Sequence, residues 1–464
     1  MLWLALYFPL LPLEALTRSE PSDQPMAVEL GRRLWRVNAA ARDFGVQPDM
    51  AINAALALTP DLRIRPRCEA DEQRALQEMA AWVLQFSPQI SLVSGQGLLL
   101  EIGASLRLFG GLDALLNAVL GGLPELGFSV QDAVSPTPAA AWLAAYLGVP
   151  LRVREPARLA AALSSLDIAG LSLSAKLESR LRGMGLHRIG QLLTLPRQGL
   201  AKRIGTDTLA HLDRVVGRRP DPRPYWQPPA HFDSTVELPV EAEGGASLRF
   251  ALHRLVLTLA GFLRGSDAGA GSLRLEFQHR AQSPTALALN LLVPGRDVAH
   301  LEALITTRLE RLALPAPVSA IRLVCDDVRR YETASEDLFG LRRNADEAAP
   351  ALIERLRARL GDEQVHGLNA FADHRPEQAW SGTAARRASA GHVGRPLWLL
   401  PQPRPIESRR LHRLSGPERI ETGWWDGREI ARDYFVAQTG DGRRLWIYRC
   451  HAQRGVWYLH GLFA

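Results

Sequence analysis

The chain lacks what would let it bind metal through sulfur, cross a membrane or remain unfolded. Only three of its 464 residues are cysteine. Cys68, Cys325 and Cys450 stand far apart and form no Cys-x-x-Cys pair, so free thiols in a reducing cytoplasm are expected, not a zinc site or a disulfide framework. Lysine is nearly missing: of 55 basic residues, all but Lys176 and Lys202 are arginine. A net charge of +6 and a pI near 9.6 favour an acidic partner such as nucleic acid, although an arginine bias also follows from a GC-rich genome. Long apolar runs are missing too. Met1–Leu13 is apolar, but it has no positive start and no small-residue cleavage site, and Pro9 and Pro12 interrupt it. It is too short to span a bilayer and reads as a buried first strand; no other segment is a transmembrane candidate. Disorder is excluded by a hydrophobic content of 47%, and the length suits three or four domains.

One stretch organises what is present. Phe86–Gly111 reads as a hairpin of two buried strands, Gln89–Val93 and Leu98–Ile102, joined by Ser94-Gly95-Gln96-Gly97. Glu69–Phe86 precedes it as an amphipathic helix with Leu76, Met79, Ala80, Val83 and Leu84 on one face. A helix Leu112–Leu123, a strand Phe128–Ser135 and a helix Pro138–Leu147 follow, while Glu29–Asp61 reads as helical. Leu159–Gly217 is also helical, and Leu177–Leu192 within it has the form of a helix-hairpin-helix. There Gly183, Gly185 and Gly190 would let backbone amides approach a phosphate, the next helix start would add a favourable dipole, and Arg180, Arg182, Arg188, Lys202 and Arg203 would supply counter-charge. Such contacts are sequence-independent and salt-sensitive; the alternative is a plain helical hairpin with a glycine turn. The proline-rich Arg218–Pro229 is a stiff linker. Beyond it, strand Phe232–Leu238, helix Leu248–Gly265, a strand alternating at Leu273, Leu275 and Phe277, strand Ala286–Val293, helix Val298–Leu312 and strand Ile321–Asp326 give the order βαββαβ.

These segments resemble the Y-family translesion polymerases. The second catalytic motif of that family reads Ser-Ile-Asp-Glu-Ala-Phe-Leu-Asp-Val-Thr; laid over Ser94–Gly103, its metal-binding acids fall on Gln96 and Gly97. The first motif, Asp-x-Asp-x-Phe-Phe, falls on Ala5-Leu6-Tyr7-Phe8-Pro9-Leu10, so both acids and the aromatic pair are replaced. A phosphate-contacting lysine falls on Trp142, and of the Tyr-x-x-Arg that holds the triphosphate only Arg42 remains, with Ala39 at the tyrosine position. Two-metal nucleotidyl transfer needs carboxylates that fix both ions. Ala5, Tyr7, Gln96 and Gly97 offer none, Glu101 matches a downstream non-ligand aspartate, and Glu14 lies beyond the turn. The resemblance therefore implies an α+β multidomain protein with no catalytic residues, no metal and no cofactor. Its parts would be a palm over 1–28 and 62–158, fingers over 29–61, a helix-hairpin-helix thumb over 159–219, a linker over 220–231 and a little finger over 232–333, whose exposed strand face would meet DNA. An active polymerase with displaced ligands is the alternative.

Two further features lie beyond that body. Ser335-Glu336-Asp337-Leu338-Phe339 resembles the bacterial sliding-clamp motif Gln-Leu-Asp-Leu-Phe, with Leu338 and Phe339 as apolar anchors, inside a clamp-binding linker over 334–345. The region 346–464 is a C-terminal helix and a small β-rich extension. Its helix, Pro350–Leu360, carries Leu352, Ile353, Leu356 and Leu360 on one face. Ala372–Glu377 sets His374 beside Asp373 with no nucleophile in view, which reads as structural or partner-binding. From Ile420 strands alternate with turns, and Trp424, Trp425, Tyr434, Phe435, Trp446, Tyr448, Trp457, Tyr458 and Phe463 build either a core or a partner surface. Taken whole, the chain resembles the polymerase-like subunits of bacterial damage-induced (SOS) mutagenesis cassettes. That likeness implies a cytoplasmic, nucleoid-associated adaptor in translesion synthesis and DNA repair. Its partners would be DNA, the sliding clamp, an error-prone DnaE-type polymerase and a RecA-like cassette protein.

Overall fold

Strand Trp3–Tyr7 is buried along its whole length, as a central strand with a packed layer on each face must be. The computed structural model describes every residue except 18–23, 94, 243–244, 332–342, 366, 368, 371–372, 382–393, 397, 452–454 and 464. The chain forms two compact units, Met1–Arg359 and Leu360–Ala464.

In the first unit, Trp3–Tyr7 pairs antiparallel with Gly97–Glu101 on one side and Gln131–Ser135 on the other, and Ile90–Val93 adds the outer strand. Helix Glu69–Val83 buries Leu76, Met79, Ala80 and Val83 against one face, as the spacing predicts. Helix Pro138–Tyr146 covers the other face; Thr137 caps it by accepting a hydrogen bond from the Ala140 N–H at 3.3 Å, and Pro138 sits in its first turn, where a missing N–H costs nothing.

The stretch expected to be helical over Glu29–Asp61 is largely not. Strands Met26–Leu30, Arg33–Val37 and Arg63–Pro66 form a separate three-stranded sheet, with only the short helices Ala39–Asp43 and Ile52–Leu58 between them. The reason is local. Gly31 and Arg32 both adopt positive φ and close a tight turn, and Ala27, Leu34 and Val37 bury together on the sheet, so the apolar pattern serves strands.

The thumb-like helices are Pro156–Leu163, Ala175–Gly183, Ile189–Leu193, Arg197–Ile204 and Thr206–Val215. In the linker, the Trp226 backbone N–H donates to the Ile90 carbonyl at 2.7 Å, along the edge of the palm-like sheet. Next come strand Phe232–Ala242, helix Gly245–Gly265, strands Ala268–Gln278 and Thr285–Gly295, helix Val298–Leu309 and strand Val318–Arg330, in the expected βαββαβ order. Leu252, Leu255, Val256, Leu259, Phe262 and Leu263 are all buried. Helix Gly245–Gly265 also meets helix Glu69–Val83. Cβ atoms at Gly261 and Gly265 would lie 2.7 Å from the Trp82 ring and 2.5 Å from Leu84, so the absence of side chains at these two positions sets how closely the helix approaches.

Helix Arg343–Leu360 returns to this body with the opposite face from the one its apolar spacing suggests. Ala358 and Glu354 are buried, while Leu352, Ile353, Leu356 and Leu360 stay exposed at 50%, 36%, 39% and 51%.

The second unit is a five-stranded antiparallel sheet. His412–Thr422, Ile430–Gln438, Arg444–Cys450 and Trp457–Leu462 follow one another as a meander, and Trp398–Ile406 pairs beyond the last of them. The aromatics divide between core and surface. Tyr434 and Trp446 stack at 4.1 Å in the core, whereas Trp424 and Trp425 stand exposed in the turn after His412–Thr422. Asp373 is not poised for catalysis with His374: its carboxylate holds Arg375, which also pairs with Asp426 at 2.7 Å. The three cysteines are free thiols.

Candidate functional site

Pairing register puts Ala5 opposite Leu99 and Ala133, and puts Tyr7 opposite Gly97. Ala5 is fully buried and belongs to an apolar cluster that runs from Leu99 and Ala133 through Leu143 into Leu159 and Leu181 of the thumb-like helices. Gln96 lies in the exposed turn, where its carbonyl accepts the Phe8 N–H at 3.0 Å. Gly97 is buried, and a Cβ there would lie 2.1 Å from the Leu6 carbonyl oxygen and 2.9 Å from the Trp142 ring. The Tyr7 ring stands edge-on to Trp142 at 5.7 Å and to Tyr146 at 5.3 Å. Burial pushes the Tyr7 hydroxyl above its ordinary range, against the pull of Arg36.

At the four aligned positions the donors are therefore a methyl group, a phenol, a neutral carboxamide and no side chain. That set does not fit a pair of divalent ions, whose hard-cation chemistry asks for carboxylate oxygens. Among the described residues no group of three or more His, Cys, Asp or Glu could hold a metal ion. The two nearest acids in sequence have other work. Glu101 is buried at the far end of its strand, opposite Trp3, and accepts from the N–H groups of Leu2 at 2.8 Å and Gly103 at 3.1 Å. Glu14 accepts from the Ser129 N–H at 3.0 Å, and burial raises its pKa to about 7.

Arg42 is exposed on helix Ala39–Asp43. The arginine that reaches the strand end is Arg36, which sequence reasoning missed: it bonds the Pro9 carbonyl at 3.0 Å, packs on Trp35 and interacts with Tyr7. Its place on strand Arg33–Val37, next to buried Val37, is what reading the segment as helical concealed.

The helix-hairpin-helix differs in detail from its expectation. The helix after the turn, Ile189–Leu193, has five residues, and its approach is already capped. Gln191 Oε1 accepts from the N–H groups of His187 and Arg188, at 2.8 and 2.9 Å, and the Ile189 and Gly190 N–H groups bond the Leu166 and Ser164 carbonyls. Gly190 serves packing, since a Cβ there would lie 2.8 Å from Ser164. Gly183 and Gly185 face open space. Arg182 is held by Asp167 at 2.6 Å and Glu178 at 2.9 Å, and Arg180 bonds the Arg203 carbonyl. Arg188, Lys202 and Arg203 are exposed and form no ion pair among the described residues. Side-chain charge, more than free amides, is what this hairpin offers an acidic ligand.

On the little-finger-like sheet the outward arginines are partly committed. Arg322 grips Asp233 at 2.6 Å and Glu276 at 3.1 Å, and Arg274 lies 3.3 Å from Glu276. The clamp-like Ser335–Phe339 and Ala372 lie outside the described residues.

The impB/mucB/samB family model matches residues 11–146, the segment that holds most of the palm-like and fingers-like elements. Over that segment the chain is similar to the impB/mucB/samB family. Protein ImuB from two strains of Caulobacter vibrioides is 28% identical over 463 residues, covering 90% of this chain and 100% of the relative. These matches support an ImuB-type protein. Among solved structures, a DinB from Sulfolobus solfataricus covers 72% of this chain and 100% of its own at 16% identity and a TM-score of 0.40. A Dbh–Dpo4 Y-family DNA polymerase chimera covers 71% of this chain and 99% of its own at 15% identity and a TM-score of 0.41.

Proposed function

We propose that this chain is a non-catalytic Y-family-like adaptor in DNA-damage-induced translesion synthesis and mutagenesis. It binds primer–template DNA without sequence preference and brings together the sliding clamp, an error-prone DnaE-type polymerase and a RecA-like partner of the ImuA type. The observation that carries the reading is Gly97: the backbone there packs against Leu6 and Trp142 where a catalytic acid would need room. Arg188, Lys202 and Arg203 support the DNA contact through phosphate neutralisation. Leu338 and Phe339 are the proposed clamp anchors, with Ser335, Glu336 and Asp337 completing the motif. A nucleoid-associated place in the cytoplasm follows from these partners; no helix among the described residues is long and apolar enough to cross a membrane.

The bridging claim is tested by retention of purified clamp on immobilised primer–template in the presence of this chain. Retention that falls with Leu338→Ala plus Phe339→Ala, while the chain itself stays on the DNA, supports the adaptor. Retention indifferent to those changes rejects the clamp contact.

A further inference from the structure

Helix Arg343–Leu360 has two faces with different fates. Successive residues turn by about 100°, so Glu354 and Ala358 share one side, and Leu352, Ile353, Leu356 and Leu360 share the opposite one. The first side is fastened to the βαββαβ body. Glu354 Oε1 accepts the Leu292 N–H at 2.6 Å, Glu354 Oε2 lies 2.6 Å from His300 Nε2, and Arg311 donates to the Arg359 carbonyl at 2.6 Å. A buried carboxylate with two partners fixes the helix in register and rotation, which makes the outward display of the other side a consequence of the dock.

The displayed side carries a stripe of large aliphatic side chains, Leu352, Ile353 and Leu356 at i, i+1 and i+4, the spacing by which one amphipathic helix receives another. Arg355 and Arg359 border the stripe on one side, and over 349–360 the one acid, Glu354, is turned into the dock. An apolar stripe bordered by cations selects an apolar stripe bordered by anions.

We infer that this stripe is a docking site for an acidic amphipathic helix of a partner protein, separate from the clamp-like segment. The inference deepens the adaptor reading and rests on it for the kind of occupant.

The test uses the full chain and two labelled designed peptides with the same leucine spacing, one filled with glutamate and one with lysine, read by fluorescence anisotropy. The expected result is saturable binding of the glutamate peptide, weakened about tenfold or more by Leu352→Ser plus Leu356→Ser. Arg355→Glu plus Arg359→Glu should lose the glutamate peptide and gain the lysine one. All four positions are exposed, so the variants should keep their circular dichroism spectrum and their affinity for primer–template. Binding unaffected by the serine pair, equal binding of both peptides, or no binding overturns the inference. So does a change of sedimentation from dimer to monomer in the serine variant, which would make a second copy the occupant. Failure of the unmodified chain to bind primer–template would tell against the adaptor reading, while the peptide result alone decides this one.

Discussion

The end of the palm-like hairpin and the thumb-like hairpin diverge from one polymerase frame in opposite ways. At the first, the aligned acid positions are occupied by Ala5, Tyr7, Gln96 and Gly97, and the space is filled by Trp142 and Tyr146. At the second, Arg188, Lys202 and Arg203 remain exposed and, among the described residues, unpaired by acids. The difference teaches that, on the proposed reading, gripping nucleic acid and doing chemistry on it would be separable on one frame. Catalysis depends on a few carboxylates at fixed positions, whereas phosphate binding is spread over many interchangeable cations.

The sharpest way to break the contrast is to put the acids back. Ala5→Asp with Gln96→Asp and Gly97→Glu should give no primer extension and should destabilise the fold by about 4 kcal/mol or more in urea, because it buries an uncompensated carboxylate and forces a side chain against the Leu6 carbonyl. A stable, extending triple variant would show that the site is only dormant. Charge reversal at Arg188, Lys202 and Arg203 should come next in size. Primer–template affinity should fall by about tenfold to a hundredfold, with a shallower salt dependence and no loss of stability.

Glu14, behind the first palm strand, gives a pH readout on packing there. Its Oε2 is buried and makes no hydrogen bond among the described residues, and burial lifts its pKa from 4.5 to about 7. The folded state thus holds a proton that the unfolded chain has released between those values. Its contribution to stability is whole below 4.5 and is lost as pH rises to about 7. Glu14→Gln keeps the acceptor for Ser129 and should flatten that slope, gaining about 1–3 kcal/mol in unfolding free energy above pH 7. A slope unchanged by Glu14→Gln would place the titration elsewhere. The smallest effect belongs to Trp424→Ala. At 75% exposure it should change stability by no more than about 0.5 kcal/mol, against about 3–5 kcal/mol for Trp446→Ala in the core, and calorimetry separates the two.

Much of this frame was legible because buried strands and long helices write their periods plainly. Phe86–Gly111 folded as its turn and apolar runs predict, and Leu252 to Phe262 buried the face their spacing marks. The fingers-like segment was not legible: short strands and short helices carry the same few apolar residues, and the positive φ at Arg32 that turns the hairpin has no sequence signature as strong as Asn-Gly. Helix Arg343–Leu360 misled for a different reason. Its aliphatic stripe has core spacing, yet the body holds it through a methyl group and a carboxylate, since the Leu292 N–H and His300 reward Glu354 for facing inward. In the hairpin, glycine and arginine could be read as phosphate ligands, but not that the Gln191 carboxamide would take up the N–H groups of His187 and Arg188 first.

The central claim is binding without chemistry, and primer extension by the purified chain with Mg²⁺ or Mn²⁺ and all four deoxynucleotides tests it most directly, with binding to the same primer–template measured alongside. The account predicts bound primer–template and no added nucleotide with either ion. Extension that survives Gln96→Ala but is abolished by Glu101→Ala would contradict it, and would mean that an acid now bonded to the Leu2 and Gly103 amides serves a metal instead.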